Sequence, residues 1–236
     1  MNVVENPSSV RWQESAPECN LPPLDESLSG WTIDKTRASH LNARRTHRNV
    51  TFHLKWFYHG ICSAPARTEW RNALKVASLG LRTVEPAGWG THPKGSFVAL
   101  VGSPGFPADQ WRSHGLTEAR LCPLAGDFAQ SVSRLHRARL CHRDLNVYHV
   151  LIHRGILRLL DVGRVRSYRR RRWIIKDLAI LLDSARFERL PTSVMRVFFR
   201  RYCQESCLSG RRRHRLLRSV ITKARRYRRH NEKHGR

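Results

Sequence analysis

Four things are scarce in this 236-residue chain: acids, long apolar runs, paired cysteines and glycines in phosphate-loop order. Acids number 18 against 44 Lys and Arg, for a net charge of +26, so an acidic, solvating or cation-storing protein is excluded. No stretch approaches 18 uninterrupted apolar residues, which argues against a membrane-spanning helix. The N-terminus has no basic patch leading into an apolar run, so no signal peptide is expected. The six cysteines, at 19, 62, 122, 141, 203 and 207, lack the doublet spacing of a zinc site. Cys203 and Cys207 can share a helix face, yet they read as plain thiols, in keeping with a reducing cytosolic setting. No Gly-x-Gly-x-x-Gly run occurs, and Gly30 is the sole glycine before Lys55.

What is present suffices for a core. Hydrophobic residues make up 40%, above the level of a disordered tail. The first 30 residues are rich in Pro, Ser, Glu and Asn, and 225–236 are almost wholly polar, so packing is expected from about 30 to 222. Arg far outnumbers Lys, which suits bidentate contacts to phosphate or carboxylate. Such a surface attracts nucleic acid, anionic lipid or a phosphorylated glycolipid, and sign alone does not choose among them.

The apolar pattern gives an order of elements. Residues 51–58, rich in aromatics, read as a strand with Phe52, Leu54 and Trp56 on one face and His53, Lys55 and Phe57 on the other. The run ends at His59-Gly60. A helix is expected over 67–79, stopped by Gly80. Residues 84–88 read as extended or turn, and 96–101 as a second strand closed by Gly102-Ser103-Pro104-Gly105, a hinge candidate between two lobes. Helices are expected over 128–139, 174–185, 192–203 and 216–227. Residues 150–152 and 156–160 suit a small hairpin, and the six arginines in 164–172 suit an exposed loop.

Two acids stand in apolar surroundings seventeen residues apart: Asp144, in Cys141-His142-Arg143-Asp144-Leu145-Asn146-Val147-Tyr148-His149, and Asp161, in Leu159-Leu160-Asp161-Val162-Gly163. Phosphoryl transfer needs a cation on the donor phosphates, oxygen ligands for a metal and a carboxylate near the attacking hydroxyl. Asp144 is a surface-turn acid or a functional one; Asp-x-Gly alone is common in turns, but the pair with a hairpin between is a stronger signal. Lys55 is either an edge lysine or one reaching a polyphosphate from a rigid strand. Glu69, fourteen residues on, is either its partner or a solvated first-turn acid.

On these residues the chain resembles the lipopolysaccharide kinase family, which includes Kdo kinases and core heptose kinases, bacterial relatives of the protein kinases. His142-Arg143-Asp144-Leu145-Asn146-Val147-Tyr148-His149-Val150-Leu151 is similar to its catalytic loop, Leu160-Asp161-Val162-Gly163-Arg164 to its metal-binding segment, and Lys55 and Glu69 to its nucleotide lysine and helix partner. The resemblance covers roughly 28–205. It implies an α+β, two-lobed protein-kinase-like fold: a poorly packed 1–27, a small β-rich N-lobe over 28–103, a mainly helical C-lobe over 104–222 and a basic polar tail over 223–236. It also implies ATP and Mg²⁺ as cofactors. Asp144, with Arg143, is the catalytic candidate; Lys55, Glu69 and His149 bind nucleotide; Asp161 and His149 hold metal; Asp177 anchors the catalytic-loop backbone. The expected acceptor is a Kdo or heptose hydroxyl of lipopolysaccharide core or lipid A–Kdo, reached at the cytoplasmic face of the inner membrane.

Only sixteen residues separate Asp161 from Asp177, too few for a long activation segment, so a glycolipid or small acceptor fits better than a protein. The arginines of 164–172 suit an acidic saccharide. In 216–227, Leu217, Val220, Ile221 and Ala224 form one stripe that either lies on an anionic bilayer or packs on the C-lobe. Two departures stand out: the phosphate loop is short or replaced by backbone from 30 to 45, and Val101-Gly102 stands where a hinge Glu is common. The alternatives are a kinase of another small or acidic metabolite, an inactive kinase-like protein, and a basic nucleic-acid binder, for which no reader motif appears.

Overall fold

The computed structural model describes residues 10–16, 19–58 and 64–233. The readings at His59-Gly60 and Cys62 and at the extreme ends lie outside them. The chain divides into two compact units, residues 1–75 with 84–103, and residues 76–83 with 104–236. The first unit ends and the second resumes within the Gly/Pro run 102–105.

The first unit is a six-stranded antiparallel sheet with a helix: β1 (Arg11–Ser15), β2 (Thr32–Thr36), β3 (His40–His47), β4 (Val50–Tyr58), α1 (Ala64–Ser78), β5 (Pro86–His92) and β6 (Gly95–Val101), in spatial order β1-β5-β6-β4-β3-β2. Alternation in β4 buries Phe52, Leu54 and Trp56 as expected, and they join Leu41, Ala43, Phe97 and Ala99 in one core. β2 and β3 were not foreseen, because polar residues dominate both. They form a hairpin whose tip is Arg37-Ala38-Ser39, so a short turn stands where a glycine-rich loop was missing.

The expectation of an unpacked residue 1–27 segment is corrected by β1. Arg11–Ser15 pairs with β5, and Trp12 meets Phe97 edge-on at 4.8 Å. Trp70 of α1 donates its indole N–H to Glu14 at 3.0 Å. The strand β5, whose start was read in sequence as extended or turn over 84–88, owes its disguise to its glycines. A Cβ on Gly90 would lie 2.1 Å from the Arg11 carbonyl oxygen and 2.4 Å from Phe97. Only glycine permits that approach.

The second unit contains β7 (Phe106–Pro107), α2 (Glu118–Arg137), β8 (Leu140–Cys141), β9 (Val150–His153), β10 (Ile156–Leu159), β11 (Arg166–Ser167), α3 (Arg172–Phe187), α4 (Thr192–Glu205) and α5 (Gly210–Lys233). α2 packs on α4, and α3 on α5. α2 begins ten residues before the expected 128, the earlier turns hidden by Pro123. β9 and β10 form the expected hairpin, turned by Arg154 and Gly155 at positive φ. The arginine run is exposed apart from buried Val165 and half-buried Tyr168; Arg166-Ser167, also exposed, pairs with β8.

The expected tail over 223–236 is also corrected, since α5 continues to Lys233. Its apolar stripe, through Leu216, Val220 and Ala224, is buried within the unit. Of the expected stripe, Val220 and Ala224 are buried and Leu217 and Ile221 half-buried, while the arginines of α5 are exposed. No helix among the described residues is long and apolar enough to cross a membrane.

Gly90→Ala should destabilise the protein by about 1–3 kcal/mol, the usual cost of overpacking. A urea midpoint equal to wild type would mean that β1 does not hold this close approach.

Candidate active site

The loop between β8 and β9 is fixed by one buried carboxylate. Asp177, fully buried on α3, accepts the backbone N–H of His142 at 2.6 Å and of Arg143 at 2.7 Å. The His136 ring adds a third contact at 3.3 Å. Two amide donors on separate oxygens fix both position and orientation of the loop. The strain this imposes is visible at Arg143, whose φ of +69° lies in the left-handed region. Asp161 shares that conformation at +51°. Non-glycine residues held there cluster at functional sites.

His142 ties the loop to the segment that carries Asp161. Its Nε2 donates to the Leu160 carbonyl at 2.9 Å. Burial pushes its pKa down, so the ring stays neutral, and its buried Nδ1 has no hydrogen-bond partner. The Leu160 N–H returns to the His149 carbonyl at 2.8 Å, and Thr83 donates to the Leu159 carbonyl. The neighbouring Cys141 thiol is pushed up to about 11 by burial and is unreactive at neutral pH.

These bonds gather Asp144, His149 and Asp161. One ligand atom from each lies within 4.8 Å of the others. His149 Nδ1 sits 2.9 Å from the Asp144 carbonyl and 3.2 Å from the Asn146 amide nitrogen; the shorter contact is to a group that only accepts, which favours the proton on Nδ1. Its Nε2 then carries the lone pair, 3.7 Å from Asp161 Oδ2. Asn146 accepts the His149 N–H and reaches Asp144 Oδ1 with its amide at 3.4 Å. Two carboxylates and an imidazole lone pair converging this way fit a divalent cation. Asp144 is only partly exposed, and Arg164 Nη1 is 3.0 Å from its Oδ2.

In the first unit, Lys55 Nζ is 2.7 Å from Glu69 Oε1. Glu69 is buried on the sixth residue of α1, not in a solvated first turn. The reading of Arg143 as catalytic needs correction: its side chain turns away onto the Trp173 ring, 4.7 Å from the centroid, and only its backbone serves the loop. Arg172 and Lys176 share that ring. Asn146, Arg164 and His142 were not singled out from sequence. Asn146, two residues after Asp144, was the most accessible of the three, because short polar side chains often bond their own loop.

Asp177→Ala should lower stability by about 3 kcal/mol, because it strands two buried amides. An unchanged thermal midpoint would remove Asp177 as the anchor of the loop.

Residues 108–219 match the model of the lipopolysaccharide kinase (Kdo/WaaP) family. Among curated proteins, none matches the sequence significantly. Solved structures with a similar fold include one of WaaP in complex with acyl carrier protein, at 23% identity and a TM-score of 0.61, covering 85% of this chain and 90% of that one. An aminoglycoside-3'-phosphotransferase of type VIII is similar at 16% identity and a TM-score of 0.56, over 82% of this chain and 93% of that one. The phosphotransferase APH(3'') of type Id from Streptomyces rimosus is similar at 16% and 0.57, over 83% and 93%. The protein-kinase-like architecture, with a β-rich N-terminal and a helical C-terminal part, thus holds for this chain. The match to the lipopolysaccharide kinase (Kdo/WaaP) family model lies wholly within the second unit and spans a little under half of the chain.

Proposed function

We propose that this chain transfers the γ-phosphoryl group of ATP to a sugar hydroxyl, Kdo or heptose, of the lipopolysaccharide inner core. The observation that carries the reading is the convergence of Asp144, His149 and Asp161 inside the family-matching segment. Asp144 orients the acceptor hydroxyl and takes its proton as the oxygen bonds to the γ-phosphorus and the bond to the β–γ bridging oxygen breaks. ADP leaves with that bridging oxygen.

Lys55, kept in one rotamer by Glu69, offers its ammonium to the donor phosphates. Asp161 and His149 would hold the divalent ion, Mg²⁺ on this reading, which when bound neutralises charge on those phosphates. The freed His149 Nε2 supports that role. Asn146 holds the Asp144 carboxylate and the His149 backbone in one arrangement.

The exposed arginines favour an acidic acceptor over a cationic one. That separates the reading from the aminoglycosides in the names of two neighbours. The outward cations of α5 suit a peripheral position on an anionic membrane at the cytoplasmic face. An acyl carrier protein, which WaaP binds in the similar solved complex, is a candidate partner.

Transfer of radiolabelled phosphate to lipid A–Kdo or heptosylated core tests this. Asp144→Asn should lower the rate by about 10²–10⁴-fold, the usual worth of a positioned base, with nucleotide affinity nearly unchanged. Equal rates would dismiss Asp144. Asp161→Ala should instead weaken metal-dependent nucleotide binding, which calorimetry reads directly.

A further inference from the structure

The arginine run of 164–172 does not act as one patch. Arg164 turns to Asp144 and Arg172 to Trp173, while Arg169 and Arg171 line a separate cavity of about 440 Å³ in the second unit. Arg137, Arg139 and Arg212 complete it, so five exposed arginines share the lining of one concavity of ligand size. They arrive from the end of α2, the turn after it, the segment before α3, and the start of α5. None of Asp144, His149 or Asp161 lines it, and among the described residues no carboxylate does.

Like charges repel, so five arginines on one lining cost stability where no ligand answers them; the Asp177 carboxylate lies behind His136 and outside the lining. A basic composition explains scattered arginines, not five converging from four segments on a lining without acid. Besides the arginines, the lining combines apolar Ile174, Leu208 and Leu216 with the hydrogen-bonded groups of His136, Tyr168 and Tyr202. Tyr168 donates to the His136 carbonyl at 2.6 Å, and the Tyr202 hydroxyl lies 2.8 Å from His136 Nδ1. His136 in turn meets Asp177, which holds the catalytic-loop backbone. The cavity wall is therefore two side chains from that loop.

The geometry points to a second anion site here, taking a phosphate-bearing ligand held by Arg137, Arg139, Arg169, Arg171 and Arg212 apart from the donor and acceptor positions. Planar guanidinium forks match phosphate oxygens bidentately. The ligand's phosphate is either a lipid headgroup or a free phosphate ester. This site does not depend on the transfer reading.

The test titrates pyrophosphate, without added metal ion, into the full chain by calorimetry. Four variants are compared with wild type: Arg137→Gln/Arg171→Gln/Arg212→Gln; the same three changed to Lys; the equally charged control Arg196→Gln/Arg200→Gln/Arg225→Gln, whose residues lie outside the cavity; and Lys55→Met. The first should weaken binding at least about tenfold, with the Lys version recovering most of it and the equally charged control near wild type, while Lys55→Met reads any share held at the donor-phosphate lysine. Equal loss in the two Gln triples would reduce the effect to net charge and overturn the site. Loss in Lys55→Met alone, or no binding by wild type, would overturn it too. Sedimentation with phosphatidylcholine vesicles, with and without phosphatidic acid, separates the sources. Loss of both pyrophosphate and phosphatidic acid binding in the first triple assigns a lipid headgroup. Loss of pyrophosphate alone assigns a free phosphate ester.

Discussion

The Asp177 carboxylate is the point on which the second unit turns. It is fully buried and receives two backbone amides from the loop that carries Asp144. A charge withdrawn from water must be repaid by good hydrogen bonds, and here the donors are main-chain groups with no rotamer freedom to lose. The loop therefore cannot drift without stranding that charge. The left-handed Arg143 is tolerated because this anchorage over-determines it. From that fixed base, His142 reaches Leu160 and brings the Asp161 segment into register.

The same logic sets the chemistry. A phosphoryl-transfer site has little covalent work to do, so what matters is how rigidly its charges are held. His149 shows this well: one nitrogen is occupied by the Asp144 carbonyl, which leaves the other to face Asp161. In the first unit, Glu69 is held by a helix that is itself pinned to β1 through Trp70 and Glu14. The N-terminal residues thereby contribute to the placing of Lys55.

The positive charge has several structural fates. Three cations stack on Trp173, one arginine neutralises Asp144, and five line the separate cavity. The outer face of α5 carries many of the rest, while its apolar stripe serves α3. Net charge alone suggested a generic polyanion surface; the fold divides it into local environments with different partners.

By itself the sequence determined the strand around Lys55, the hairpin between the two acids, the C-terminal helices and the motif residues Asp144, His149 and Asp161. The elements follow from local period, which acts over a few residues, whereas the motif residues were singled out by the spacing of the two acids and, for His149, by the family resemblance alone. It missed β1, β2 and β3 and read only the start of β5, as extended or turn, since strands get their pairing energy from distant partners and glycines in β5 conceal the pattern. Only the tertiary structure decided that Arg143 leaves the site for Trp173, that Arg164 joins Asp144, and that arginines from four segments share one cavity. Long side chains on well-spaced segments choose their neighbours through packing, and no spacing along the chain encodes that choice.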